Sequence, residues 1–119
     1  MGTSSFRQLD VWKKAHELVL DVYRLTAVFP NEEKYGLVSQ MRRASVSVPA
    51  NIAEGYKRRS RKEKIRFYNI AEASLEELRY YFLLCDDLGL ANNGMDLDEK
   101  ADSVARMLNG LIRKIESRP

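Results

Sequence analysis

Cysteine and histidine each occur once in this chain of 119 residues, and proline three times. A lone cysteine, Cys85, cannot close an intrachain disulfide, which points to a reducing compartment and a cytoplasmic protein. A lone histidine, His16, rules out the paired Glu-x-x-His motifs of ferritin-like metal bundles. No CxxC pair, HExxH or glycine-rich phosphate loop is present. Glu76, Glu77, Asp86 and Asp87 are adjacent carboxylate pairs, but neighbours on a helix project about 100° apart and do not jointly hold a metal. With three prolines and six glycines, an all-β or loop-rich chain is disfavoured. The longest unbroken apolar run, Tyr80 to Cys85, falls far short of the roughly 20 residues of a membrane span. No apolar signal core follows the N-terminus, and Phe6 stands where a myristoylation signal needs Ser or Thr. The expectation is a soluble non-enzyme with no metal, no cofactor and no membrane partner.

What remains is helical periodicity. Trp12, Ala15, Val19, Val22, Leu25 and Phe29 recur at three and four residues, a helix that ends before Pro30. PNEEKYG reads as a turn, with Asn31 as cap and Glu32 and Glu33 in a first turn where acids suit the helix dipole. The stretch from Ala44 to Ile52 alternates apolar and polar residues as a half-buried strand would. A helix accounts for more of it: Leu37, Met41, Ala44, Val48, Ile52 and Tyr56 share one face. Pro49 lacks an N–H and would leave the Ser45 carbonyl unbonded, so a kink is expected there, softened by the Ser45 and Ser47 hydroxyls.

Ser60 and Glu63 fit a capping box that opens a third helix. Tyr68, Ala71, Leu75, Leu78, Phe82 and Cys85 then form a heptad seam, which stops at Gly89 as a left-handed cap. Asn92 to Gly94 is a turn, and Asp96 with Glu99 a weaker capping pair. The fourth helix runs on Leu97, Ala101, Val104, Leu108, Leu111 and Ile115. Four amphipathic helices with short connections predict one all-α domain, an antiparallel up-down four-helix bundle over the whole chain, with residues 1–5 a loose start.

Two surpluses go beyond what a bundle needs. The third helix carries a second apolar stripe, Phe67, Ile70, Tyr81 and Leu84, widened by Tyr80 and Leu83. It either flanks the core or forms a surface for self-association, and a closed homo-oligomer is the default form of the latter. The other surplus is charge. The formal net charge is +3, yet residues 57–66 hold seven basic side chains and one acid, so the rest of the chain is net negative. These seven are Lys57, Arg58, Arg59, Arg61, Lys62, Lys64 and Arg66. A solvated helix–helix corner is seldom so one-sided. Phosphates of nucleic acid would want such a cluster, and Tyr56, Phe67 and Tyr68 could stack on unpaired bases. Register across the hairpin puts Arg43 opposite Ser74 and near Glu77, and Glu54 near Lys62, Lys64 or Arg66, as structural ion pairs.

Four segments carry a resemblance: FRQLDVWKKA at 6–15, FPNEEKYGL at 29–37, QMRRASVSVPANIAEG at 40–55 and IAEASLEEL at 70–78. Together they resemble the four-helix-bundle proteins encoded in intervening sequences of bacterial large-subunit (23S) rRNA genes, over about residues 6–90. Helix four matches only in pattern, and Glu72-Ala73 departs from the basic or small residue and glycine common there. That family is similar to the accessory variability protein of diversity-generating retroelements. The resemblance implies a homopentamer with a central channel. Through the retroelement relative it implies association with nucleic acid or a nucleic-acid-processing protein. Arg42, Arg43, Asn51 and Glu54 fall on family motif positions. The expectation is a bundle that binds RNA or a nucleoprotein partner through its basic corner, or an assembly adaptor with protein partners only.

Overall fold

A computed structural model of the protein describes residues 5–118. Four long helices form it: α1 (Asp10–Thr26), α2 (Ser39–Lys57), α3 (Arg61–Asp87) and α4 (Gly94–Glu116). No strand occurs among the described residues, and the bundle measures 49 × 27 × 20 Å. The alternation before Pro49 is therefore part of a helix.

The α3 seam is buried residue for residue: Tyr68, Ala71, Leu75, Leu78, Phe82 and Cys85 all face the core. Each large apolar side chain withdrawn from water contributes roughly 1.5–3 kcal/mol, so this seam is a principal source of stability. On α1 the buried face is Val11, Ala15, Leu18, Val19, Val22 and Thr26, while Trp12 and Leu25 lie half-buried at its edge. On α4 the expected Leu111 is only half-buried, and Ile112 takes the core position. A straight helix turns every 3.6 residues, so a strict heptad drifts off the buried face within a few turns.

The connection before α2 departs from the expected turn. Asn31 makes no side-chain cap. The chain coils into a short 3-10 turn, Asn31–Glu33, and then a π-helical turn, Lys34–Val38. The wider turn inserts a residue, and Leu37 and Val38 both reach the core. Pro49 is buried inside α2, and the Ser45 hydroxyl donates to the Arg42 carbonyl at 2.9 Å.

The Ser60 oxygen accepts the Glu63 N–H at 3.1 Å, as a helix cap should, but the Glu63 carboxylate binds Arg66. Gly89 ends α3 at φ 74°, with Leu90 N–H on the Cys85 carbonyl and Gly89 N–H on the Asp86 carbonyl, a Schellman closure. The start of α4 is not the Asp96 pair. It begins at Gly94, whose N–H donates to Asp86 Oδ1 of α3 at 3.0 Å. A carboxylate beside those first N–H groups satisfies what the helix's own residues leave open.

Candidate nucleic-acid interface

The basic corner is the junction of α2 and α3. The chain leaves α2 after Lys57, passes Arg58 and Arg59, and re-enters helix at Arg61. Seven cations in so short a run repel one another, and four of them are tied down locally. Lys64 is half-buried; its ammonium donates to the Tyr56 carbonyl at 2.7 Å and the Gly55 carbonyl at 3.3 Å. It thereby closes the C-terminal end of α2, where a cation also suits the dipole. Desolvation, with Arg118 nearby, pushes its pKa down.

Arg58 pairs with Glu54 at 2.8 Å, and Arg66 with Glu63 at 3.1 Å. That hydrogen bond from Arg66 holds the Glu63 carboxyl below its usual range. Both guanidinium groups lie over the Phe67 ring, 4.6 and 4.5 Å from its centre. Arg61 donates to the Arg118 carbonyl beyond the end of α4. Lys57, Arg59 and Lys62 are exposed and make no hydrogen bond or ion pair among the described residues.

Glu54 thus meets Arg58, and not Lys62, Lys64 or Arg66. Ser74 faces Ser47, hydroxyl to hydroxyl at 2.8 Å, and not Arg43. The true hairpin register lies about one turn from the expected one. Asn51 joins this contact through the Ser47 carbonyl at 2.8 Å and hydroxyl at 3.0 Å. Glu77 accepts the Tyr81 hydroxyl at 2.6 Å, which is the main reason that phenol is pushed up to about 12. Arg42 is a structural tie: its Nε donates to the buried Thr26 hydroxyl at 2.9 Å and its NH2 to the Tyr23 carbonyl at 3.4 Å, closing the end of α1. Arg43 is exposed with no partner among the described residues.

The second apolar stripe of α3 divides. Tyr81 and Leu84 pack on the core and are half-buried, Phe67 lies beneath the two arginines, and Ile70 is exposed. Tyr80 and Leu83 are exposed beside it, the Tyr80 ring centre 6.0 Å from that of Tyr81. They line a groove toward α4 with Met95.

Three features escaped sequence reasoning. Arg118 joins the corner through Arg61, although the two are 57 positions apart. Residues 49–74 hold seven basic and three acidic side chains, and residues 106–118 hold four and one. Residues 75–105 hold two basic and eight acidic ones. Arg79 bridges α3 to Asp98 at 2.8 Å and Asp102 at 3.5 Å on α4. The charge partition is countable along the chain, whereas the Arg118 and Arg79 contacts depend on the α3–α4 register. His16 is exposed and stacks on Trp12, ring centres 5.1 Å apart, whereas Cys85 is buried. Among the described residues no three of His, Cys, Asp and Glu are grouped to hold a metal, and no helix is long and apolar enough to cross a membrane.

Four packed helices with a cation-rich corner define an all-α bundle protein. Residues 7–110 match the 23S rRNA-intervening sequence proteins, and the chain belongs to that family. The match extends well into α4, further than the sequence motifs reach. The fold is similar to that of a protein of unknown function from the S23 ribosomal protein family of Bacteroides thetaiotaomicron VPI-5482. The TM-score is 0.80 at 24% identity, over 87% of this chain and 95% of that one. No curated protein matches the chain.

Proposed function

We propose that the protein is a cytoplasmic, non-enzymatic, self-assembling bundle that binds RNA through the corner between α2 and α3. The observation that carries this reading is the trio Lys57, Arg59 and Lys62, exposed and without ion pairs among the described residues, inside a segment rich in further cations. Phosphate backbones are bound by such clusters, with an affinity that falls steeply with salt. Arg58 and Arg66, held on Phe67, keep N–H donors in fixed directions beside the trio.

The reading takes the chain as one domain with its helices antiparallel, up and down. Contact positions support this: Ser47 meets Ser74 while Gly55 meets Lys64, so numbers rise along α2 as they fall along α3. Asp86 with Gly94 and Arg61 with Arg118 repeat the pattern for α3 and α4. A closed homo-oligomer, of five subunits as the resemblance implies, would use the side of α3 that bears Phe67, Ile70, Tyr81 and Leu84. Assembly would repeat the corner and multiply its grip. The rival reading is an adaptor whose corner meets carboxylates of a neighbouring copy or a protein partner. The eight acids of residues 75–105 favour it.

A fluorescent structured RNA titrated across a salt series separates the two. For a duplex stem the slope of log K against log salt is about −0.9 per phosphate contact, so Lys57→Gln, Arg59→Gln and Lys62→Gln together should flatten it by about 2–3 units. Equal slopes, or no binding at low salt, would sink the RNA reading and leave the adaptor. Phe67→Glu with Ile70→Glu should lower the mass seen by light scattering while helicity persists. An unchanged mass places the subunit interface elsewhere.

A further inference from the structure

A second cationic surface lies outside the corner, where α1 ends and α2 begins. Its centre is an open groove of about 640 Å³ whose lining includes Tyr23, Lys34, Tyr35, Arg42, Arg43 and Val46. Three cations line it and no carboxylate does. That composition is unusual for a chain holding 17 acids. Tyr35 is 86% exposed and Tyr23 41% exposed, so both aromatic rings present surface to solvent. Lys34 and Tyr35 sit in the π-helical turn, and the Lys34 ammonium lies 5.4 Å from the Tyr35 ring centre. Turns of that kind recur at functional sites because they re-aim side chains.

Arg42 is pre-positioned here. Its guanidinium lies 4.4 Å over the Tyr23 ring, and Nε and NH2 are anchored on α1. An arginine has five N–H donors, so those two bonds leave three to face a ligand. Arg43, next along, has no partner among the described residues. Arg43, Val46, Ala50, Glu54 and Lys57 follow one exposed stripe of α2 at spacings of three and four. That stripe joins the groove to the corner, and the 14 helical steps from Arg43 to Lys57 span about 21 Å.

We propose that this groove is a single-stranded RNA subsite, in which bases stack on Tyr35 and Tyr23 and phosphates meet Lys34, Arg42 and Arg43. The inference rests on the RNA reading above and extends it: the corner grips backbone of any form, and the groove selects unpaired nucleotides. Exposed aromatics beside cations are what sequence-tolerant single-strand binding uses. A paired stem keeps its bases stacked on one another and cannot offer them to the two tyrosines.

The test compares an oligouridine strand with an RNA duplex of matched length, bound to the full chain by fluorescence anisotropy. Tyr35→Ala and Arg43→Gln alter exposed side chains, so folding is checked only by circular dichroism. Tyr35→Ala should weaken the single strand by about tenfold, on the scale of one lost base stack, and leave the duplex unchanged. Arg43→Gln should weaken the single strand and flatten its salt slope. The corner variant should weaken both ligands. Failure of the parent protein to bind either ligand, or binding that the corner variant leaves unaltered, overturns the RNA reading and this subsite together. Corner-dependent binding that Tyr35→Ala leaves unaltered overturns the subsite alone. A change of oligomeric mass in Tyr35→Ala at unaltered affinity also overturns it, and assigns the groove to a subunit interface.

Discussion

Replacing Gly94 by alanine should be among the most damaging one-methyl changes in this protein. A Cβ there would stand 2.5 Å from the Phe82 carbonyl oxygen and 2.6 Å from both Asp86 carboxylate oxygens. Phe82 contributes backbone from inside α3 and cannot yield as a flexible side chain would. Relief must come from the start of α4 moving off, which breaks the 3.0 Å bond from Gly94 N–H to Asp86. A lost hydrogen bond to a charged group costs about 1.5–3 kcal/mol, and overpacking adds a further 1–3. The two losses share one displacement and do not add fully, so about 3 kcal/mol is expected. Gly110→Ala is the control. It adds the same methyl group to the same helix, at an exposed position with nothing within 4 Å, and should gain about 0.5–1 kcal/mol from helix propensity. Urea unfolding followed by circular dichroism reads both, at matched protein concentration because assembly would shift the midpoint. With a slope near 1.5 kcal/mol per molar, Gly94→Ala should lower the midpoint by about 2 M and Gly110→Ala raise it by about 0.5 M. A Gly94→Ala midpoint within about 0.3 M of the parent would refute the close approach. The cost should shrink in an Asp86→Ala background, where one of the two collisions is absent.

Two other outcomes follow from ionisable groups partly or wholly withdrawn from water. The Cys85 thiol, fully buried and 3.5 Å from the Met41 sulfur, is pushed up to about 11, first by burial and then by Asp86 and Glu33. It should resist a thiol reagent at pH 8 in the folded protein and react at once in urea; prompt native labelling would contradict that burial. The Glu72 carboxyl is pushed up, first by burial and then by Glu116. The folded state then holds its proton more tightly than the unfolded state does. Stability from this group is therefore present at low pH and lost as pH rises through the raised folded pKa. Glu72→Gln should raise the melting temperature at neutral pH, by less as pH falls. A gain that does not depend on pH would count against repulsion as its cause.

Much of the fold was legible because periodicity is local. The α3 seam from Tyr68 to Cys85 needs no partner to be recognised, and neither does the Gly89 stop or the Ser60 cap. A helix through Pro49 was also legible, since the wider apolar face outweighed a short alternation. Legibility failed where phase accumulates or where partners are remote. Leu111 yields to Ile112 because heptad and helix drift apart along α4. The site was readable as a sum of charges but not as a set of free ones.

Local patterning was enough to specify four amphipathic helices, most of their buried faces and an excess of cations between the second and third helices. Those properties depend on residues within a turn or two of each other. Which of those cations are tied to a partner depends on how the helices pack. Lys64 turns in to the α2 carbonyls, Arg61 bonds the Arg118 carbonyl, and Arg58 and Arg66 settle on Phe67, leaving Lys57, Arg59 and Lys62 with no hydrogen bond or ion pair among the described residues. The tertiary structure also brought Tyr23 of α1 beside Tyr35 and Arg43, and supplied α4 with a cap from Asp86. The physical reason is range. Helix propensity and hydrophobic phase act along the chain, whereas capping, ion pairing and grooves require groups distant in sequence to be packed within a few ångströms.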